Sequence, residues 1–279
     1  AGIVAGLVGI PPAAGAVSPI GALILGVLVG AACAYAGGLK FKFGFDASLD
    51  TTYLDGDGTG DDFTNIWAAL VLSTGAGEFA IGAPRPLVDT LAVMPKFSSS
   101  RVLDLETGFL RGPITSIASA SDNGATPGLT WKQETGNLTF GAGYHHLNDG
   151  DNVDILEGIM RYQSGATTLF ISGEFAEVEG PNLTLLQIGG LHDAERFDLG
   201  AAFAQLDTSD TTRSLRLYGS FDVMSSLTLR GDALLIQDAS DIYSLSATYS
   251  MESGLFVEGG GSKITGSDEI YDIGVGFKF

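Results

Sequence analysis

Residues 214–235 read SLRLYGSFDVMSSLTLRGDALL, and the spacing of their apolar side chains decides the fold. In 214–223, Leu215, Leu217, Phe221 and Val223 oppose Arg216, Tyr218 and Asp222. In 226–235, Leu227, Leu229, Ala233 and Leu235 oppose Thr228, Arg230 and Asp232. Successive side chains of a strand point to opposite faces, so each run has one apolar and one polar face. Met224-Ser225 between them reads as a short hairpin turn.

The same period of two runs from Pro127 to the C-terminus. In EIYDIGVGFKF (269–279), Tyr271, Ile273, Val275, Phe277 and Phe279 alternate with Asp272, Gly274, Gly276 and Lys278. Short turns are expected at Gly136-Asn137, Gly165-Ala166, Asp193-Ala194, Met224-Ser225 and Glu252-Ser253, 28 to 31 residues apart, one hairpin each. Longer polar loops are expected between them, at 148–152 (NDGDN), 177–182, 207–212, 238–241 and 264–269. Short turns on one side and longer acidic loops on the other are the asymmetry of a transmembrane barrel. Strands of about 10–12 residues, at ~3.3 Å per residue and ~40° tilt, span its ~25 Å apolar band. A soluble sandwich also alternates, but it needs Greek-key connections. Here every neighbour is joined by a hairpin.

Counting back from Phe279 gives eleven strands to Pro127. Upstream, 64–74 (TNIWAALVLST) and 78–85 (EFAIGAPR) read as a strand pair around Gly75–Gly77. Leu39–Leu54 reads as the strand before them, and 55–62 (DGDGTGDD) as the loop it enters. Residues 86–126 contain no clear strand pair and read as one long loop. The parity of strand direction puts it on the side of the other long loops.

Composition divides the chain. It has 279 residues, 40 of them Gly, and a formal charge of −19. All 14 basic and 33 acidic residues lie in 40–279. The acidic balance argues against a nucleic-acid partner, which calls for a basic face. The single cysteine, Cys33, allows no internal disulfide. The sequence opens on Ala1 rather than Met, so further residues are expected upstream. Ile20 to Ala36 gives 17 uncharged, mostly apolar residues, at the short end of a membrane-spanning helix. The run also ends in Ala34-Tyr35-Ala36, a small-residue cleavage word of secretory signal peptides, but no basic stretch precedes it.

Two resemblances follow. LVLSTGAGEFAIGAPR (70–85), the long loop after it and the terminal GVGFKF resemble Gram-negative outer-membrane porins over residues 37–279. In sixteen-stranded porins the long loop follows the fifth strand and folds into the barrel. The resemblance therefore implies an all-β antiparallel transmembrane β-barrel with about 14 of 16 strands, and a constriction loop at 86–126. It also implies that the terminal Phe279 is read by outer-membrane assembly machinery. AGLVGIPPAAGAVSPIGALILGVLVGAACAYA, followed by LKFKFGFDASLD, resembles the late transmembrane region of ammonium transporters over about 50 residues. That implies an apolar helical segment at 1–36 ahead of the barrel. In that family a pore histidine comes next, whereas Thr51 onward reads TTYLDGDGTGDD. Ammonium conduction is therefore not carried over to any residue. LKFKFGFDASLD suits both families, but a long apolar helix and an outer-membrane barrel belong in different bilayers. The join is expected to be a recombination, a gene fragment or an assembly artefact.

The expected pore-lining residues are Lys132, Arg216, Arg230 and Asp232 on the inward wall, with Asp89, Asp104, Glu106 and Asp122 on the long loop. The porin resemblance implies that an acidic loop facing a basic wall sets a transverse field, and charged rings tune ion selectivity. The alternative is that these are ordinary solvated lumen residues. Asp55-x-Asp57-x-Thr59-Gly60 copies the start of a calcium loop, but its twelfth position is Ile66 rather than a bidentate Glu. His145 and His146 adjoin, so on a strand they point to opposite faces and make a poor metal pair. Trp131, Tyr144, Phe221, Tyr249 and Phe279 are expected in aromatic girdles.

Nothing resembles a catalytic triad, a phosphate-cradling loop or a zinc spacing. The expectation is passive diffusion of small hydrophilic solutes and ions, without catalysis, cofactor or metal. Expected partners are membrane lipid, lipopolysaccharide and two further copies in a homotrimer, in the outer membrane of a Gram-negative bacterium. The −19 charge hints at cation preference. The alternative reading is an inner-membrane ammonium-channel fragment fused to a β-rich tail.

Overall fold

A computed structural model describes residues 42–56, 59–95, 114–115, 125–149, 151–178, 180–266 and 269–277. The apolar segment 1–36, Cys33 and Phe279 lie outside the described residues. Among the described residues no helix is long and apolar enough to cross a membrane, which says nothing of strands.

The strands are β1 (Lys42–Gly56), β2 (Thr59–Thr74), β3 (Gly77–Ala83), β4 (Gly128–Thr135), β5 (Leu138–Asp149), β6 (Asp151–Ser164) and β7 (Thr167–Glu177). They continue with β8 (Leu183–Asp193), β9 (Phe197–Asp207), β10 (Thr211–Met224), β11 (Leu227–Ile236), β12 (Ile242–Ser250), β13 (Leu255–Ile264) and β14 (Glu269–Phe277). A short helix, α1 (Leu87–Leu91), follows β3. All fourteen described strands form one sheet in chain order, each pairing with the next. Among the described residues no ladder joins β14 to β1. The eleven strands expected from Pro127 onward are β4 to β14, and the three upstream are β1 to β3.

Turn chemistry fixes the hairpins. Gly136 and Gly165 take φ of 59° and 57°, which opens two-residue turns that a Cβ-bearing residue would strain. The connection after Asp193 is three residues, 194–196, and the turn after Met224 is Ser225-Ser226, one residue later than expected.

Two expected loops are strand. Leu54 pairs with Asp61 and Asp55 with Gly60, so most of 55–62 continues the β1–β2 ladder. Asn148 pairs with Asn152 and Asp149 with Asp151, so 148–152 closes almost directly on itself. Acidic composition marks chain that leaves the apolar band. It does not end the ladder, whose bonds are made by backbone groups. The asymmetry between the two ends therefore rests mainly on the connection at 84–127, slightly longer than the 86–126 expected.

The faces alternate as the sequence requires. In β10, Ser214, Arg216 and Tyr218 are buried, while Leu215 and Leu217 between them are 38% and 45% exposed. In β7, Thr168, Phe170, Ser172, Glu174 and Ala176 are buried, while Leu169, Ile171 and Phe175 are exposed. In β8, Leu185 and Gln187 are buried, and Leu186 and Ile188 are exposed. The sheet is thus apolar on its outside and mostly polar within, the reverse of a soluble sandwich. Exposed aromatic side chains stand near both ends: Tyr162, Phe197, Phe221 and Tyr249 by the short turns, Tyr144, Phe175, Tyr243 and Tyr271 toward the other end. Trp131, half-buried, donates from Nε1 to the Ala76 carbonyl at 2.9 Å.

Apolar packing inside the sheet occurs where the β3–β4 connection lies on the wall. Leu87, Val88 and Leu91 of α1 pack on Ile159. Ala92, Val93 and Met94 pack on Phe170, Ala202 and Tyr218. Ile114 packs on Leu147, Ile155, Ala176, Leu185 and Ala204. A separate apolar group, Leu234 and Ile242 with Ile236, Ile264 and Ile270, fills the wall toward the other end.

Candidate functional site

The site is the concave face together with the stretch of connection held against it. Pro86, which opens α1, gives no side-chain capping bond. A five-residue helix is not stable alone, and its first N–H groups have no partner within it. Glu157 of β6 supplies one. Leu87 N donates to its Oε1 at 2.9 Å and Val88 N to its Oε2 at 3.0 Å. The same Oε1 lies 2.9 Å from His145 Nε2. Both side chains of this pair are fully buried.

Glu174 of β7 repeats the arrangement. Ile114 N donates to its Oε2 at 2.7 Å, and Thr115 N and Oγ1 donate to its Oε1 at 3.3 and 3.2 Å. Glu157 and Glu174 face each other across the β6–β7 ladder. A third contact comes from β10, where Tyr218 Oη donates to the Val93 carbonyl at 2.8 Å. Two glycines make the room. A Cβ on Gly141 would lie 2.8 Å from Leu87 Cδ1, and one on Gly143 would collide with the Glu157 carboxylate.

Beyond α1, a cavity of about 250 Å³ opens between Ala92–Pro95 and the wall. Asp198, Tyr218, Ser220 and Arg230 give it its polar lining. Asp198, Ser220, Arg230 and Ser246 form one row across β9 to β12. Ser220 Oγ donates to Asp198 at 2.7 Å.

The expected pore residues divide. Arg216 and Asp232 form a bidentate ion pair, with Nε to Oδ1 at 2.9 Å and a second, shorter contact from NH2 to Oδ2. Both are buried, and the guanidinium stacks 5.2 Å from the Tyr218 ring centroid. Lys132 pairs with Glu78 across β3–β4 at 3.0 Å, far along the sheet from Arg216. Arg230 lines the cavity, and among the described residues it forms no ion pair. Asp89 sits on α1, 3.6 Å from Arg85, whose NH2 donates to Ser48 at 2.7 Å. Asp104, Glu106 and Asp122 lie outside the described residues. The structure thus groups Arg216, Arg230 and Asp232 on one stretch of wall and leaves Lys132 apart. His145 and His146 do face opposite ways: His145 meets Glu157 and His146 meets Asp154 at 2.8 Å. Asp55, the first position of the calcium-like word, is paired in the β1–β2 ladder.

Glu157 and Glu174 were not singled out by the sequence, and His145 and Tyr218 were read only for the face they take on their strands. In VDILEGIM (153–160) both faces carry apolar residues, so Glu157 does not look like part of a polar row.

Comparison with known proteins gives two unrelated likenesses. A porin structure refined at 1.8 Å superposes with a TM-score of 0.62 at 16% identity, over 86% of this chain and 100% of that one. A mutant Rh. blastica porin superposes with a TM-score of 0.59 at 12% identity, over 86% and 89%. OmpT, an outer membrane protein of Vibrio cholerae, superposes with a TM-score of 0.54 at 14% identity, over 80% and 85%. These likenesses show the fold: an antiparallel β-barrel of the porin type. The Ammonium Transporter Family model matches residues 1–82. An ammonium transporter of Mycobacterium bovis is 61% identical over 49 residues, 18% of this chain and 10% of the transporter. Ammonium transporter MEP2 of Saccharomyces cerevisiae is 42% identical over 80 residues, 28% of this chain and 16% of MEP2. The chain therefore spans between a tenth and a sixth of the length of these relatives. The match runs further than the 50 residues the sequence suggested. It continues through residues that here form β1, β2 and most of β3.

Proposed function

We propose that this chain is an outer-membrane channel for passive diffusion of small hydrophilic solutes and ions, and not an enzyme. One observation carries the reading: along the strands, side chains exposed on the outside are apolar, while those turned inward include Arg216, Asp232, Ser246, Ser262, Gln187 and Glu157. A lipid surround favours that arrangement, because apolar side chains facing water forgo their burial. Residues 1–36 would form an apolar segment and 37–279 the barrel, narrowed by the connection at 84–127. The cavity beside Arg230 would be part of the path, and Asp104, Glu106 and Asp122 would add charge on the connection. The partners would be lipid, lipopolysaccharide and two further copies in a trimer, in a Gram-negative host.

The test is reconstitution of the full chain into planar bilayers, with fractionation of the expressing cells. The expected result is stepwise ohmic conductance from protein that pellets with outer membrane and shifts mobility on heating in SDS. A detergent-free soluble protein that gives no conductance steps overturns the reading. The match of residues 1–82 to ammonium transporters favours a second reading, an inner-membrane fragment with a β-rich tail. Protein recovered only with inner membrane supports it.

A further inference from the structure

We propose that Glu157 and Glu174 are positioning residues that hold Leu87-Val88 and Ile114-Thr115 of the β3–β4 connection against the inner wall and so set the calibre of the channel. The inference rests on the diffusion reading for its consequence, but the hold itself stands on geometry. Two carboxylates directly opposite on neighbouring strands disfavour the sheet that carries them. A feature that breaks a local rule is compensated elsewhere or serves a function. Here the compensation comes from outside the sheet. Each carboxylate accepts two backbone N–H groups of the connection, from partners 59 to 70 residues away in sequence. Those donors are buried, so none can turn to water if its carboxylate is lost.

The wall is shaped to receive them. Gly143 leaves the space that the Glu157 carboxylate fills, and Gly141 the space that Leu87 fills. His145 fixes the carboxylate from the far side. The two clamped points, Leu87-Val88 and Ile114-Thr115, are brought to neighbouring strands, so the connection is tied to the wall at both. Tyr218 then tethers Val93 on β10, at the edge of the cavity that Arg230 lines. The apolar contacts of Leu87, Val88 and Ile114 are not directional. The carboxylates specify where along the wall the backbone sits.

The test uses the full chain folded in detergent. Glu157→Gln with Glu174→Gln keeps side-chain volume but sets an NH2 donor against a backbone N–H at each site. Gly143→Ala displaces the Glu157 carboxylate without changing charge. Gly231→Ala, whose Cβ would meet nothing within 4 Å, is the control. Three quantities are read: single-channel conductance, the size limit for sugars in liposome swelling, and the rate of tryptic cleavage at Lys96, Arg101 and Arg111. The expected result is higher conductance, passage of larger sugars and faster cleavage in both altered proteins, with heat-modifiability kept and the control unchanged. Cleavage rates equal to the unaltered chain overturn the hold. Faster cleavage with unchanged or lower conductance overturns its role in calibre. If the unaltered chain forms no channel, the diffusion reading fails, and cleavage alone decides whether the hold exists.

Discussion

Arg216 and Asp232 show what charge does on the concave face. They are register-offset neighbours on β10 and β11, buried, bidentate and covered by the Tyr218 ring. Removing one partner of such a pair strands the other charge, at a cost of roughly 3–5 kcal/mol, whereas removing both is far less harmful. Arg216→Leu is therefore expected to lower the urea midpoint of the folded barrel strongly. Arg216→Leu with Asp232→Leu is expected to recover most of the loss. Equal losses in the two proteins would show that the pair is not coupled. Arg230, in the same wall, contrasts with it. It has no ion-pair partner among the described residues and lines the cavity, so on the channel reading its charge is expected to act on the lumen rather than on the fold. The alternation of SLTLRGDALL made both side chains legible as inward. That Asp232 is locked in a pair, while Arg230 has no ion-pair partner among the described residues, depends on what the neighbouring strand presents beside each, which one strand's sequence does not state.

At the scale of elements, strand count, order and facing were legible because each depends on a local period of two. β11 fell within a residue of the expected bounds and β10 began three residues earlier than expected, and the turns at Gly136 and Gly165 carry the positive φ their glycines allow. Two loops were misread, at 55–62 and 148–152, because acidic composition looks the same in a loop and in a strand standing in water. α1 was invisible: LVDTL has no capping residue and too few turns to read as a helix. It exists because β5, β6 and β7 hold it, which is information from residues 141–174. The facing itself predicts an asymmetric response to charge. Ile188, 56% exposed and mid-strand in β8, stands on the apolar outer face, so on the channel reading Ile188→Arg is expected to destabilise the inserted barrel by ~2–4 kcal/mol. Ser246→Arg, turned inward on β12, is expected to leave insertion intact and change conductance. Chemical unfolding from lipid vesicles separates the two. Comparable losses at both positions would contradict the outside-apolar assignment.

For the whole molecule, the charge of −19 and the inward carboxylates Asp198, Glu258 and Asp272 outweigh Arg230 on the cavity wall. Reversal potentials across a KCl gradient are expected to favour K⁺, and Arg230→Ser to increase that preference. A chloride-favouring potential would mean that the local field of Arg230 dominates the path. Chain order equals spatial order across the sheet, and this gives the architecture a modular grammar. Excising a pair such as 197–224 would bring β8 beside β11, already opposite in direction, with greasy and wet surfaces still matched. Such walls can gain or shed strands two at a time without rewriting the survivors. That freedom ends near β6, β7 and β10, where the inner strap is fastened, so variation in girth among related chains should spare those three staves.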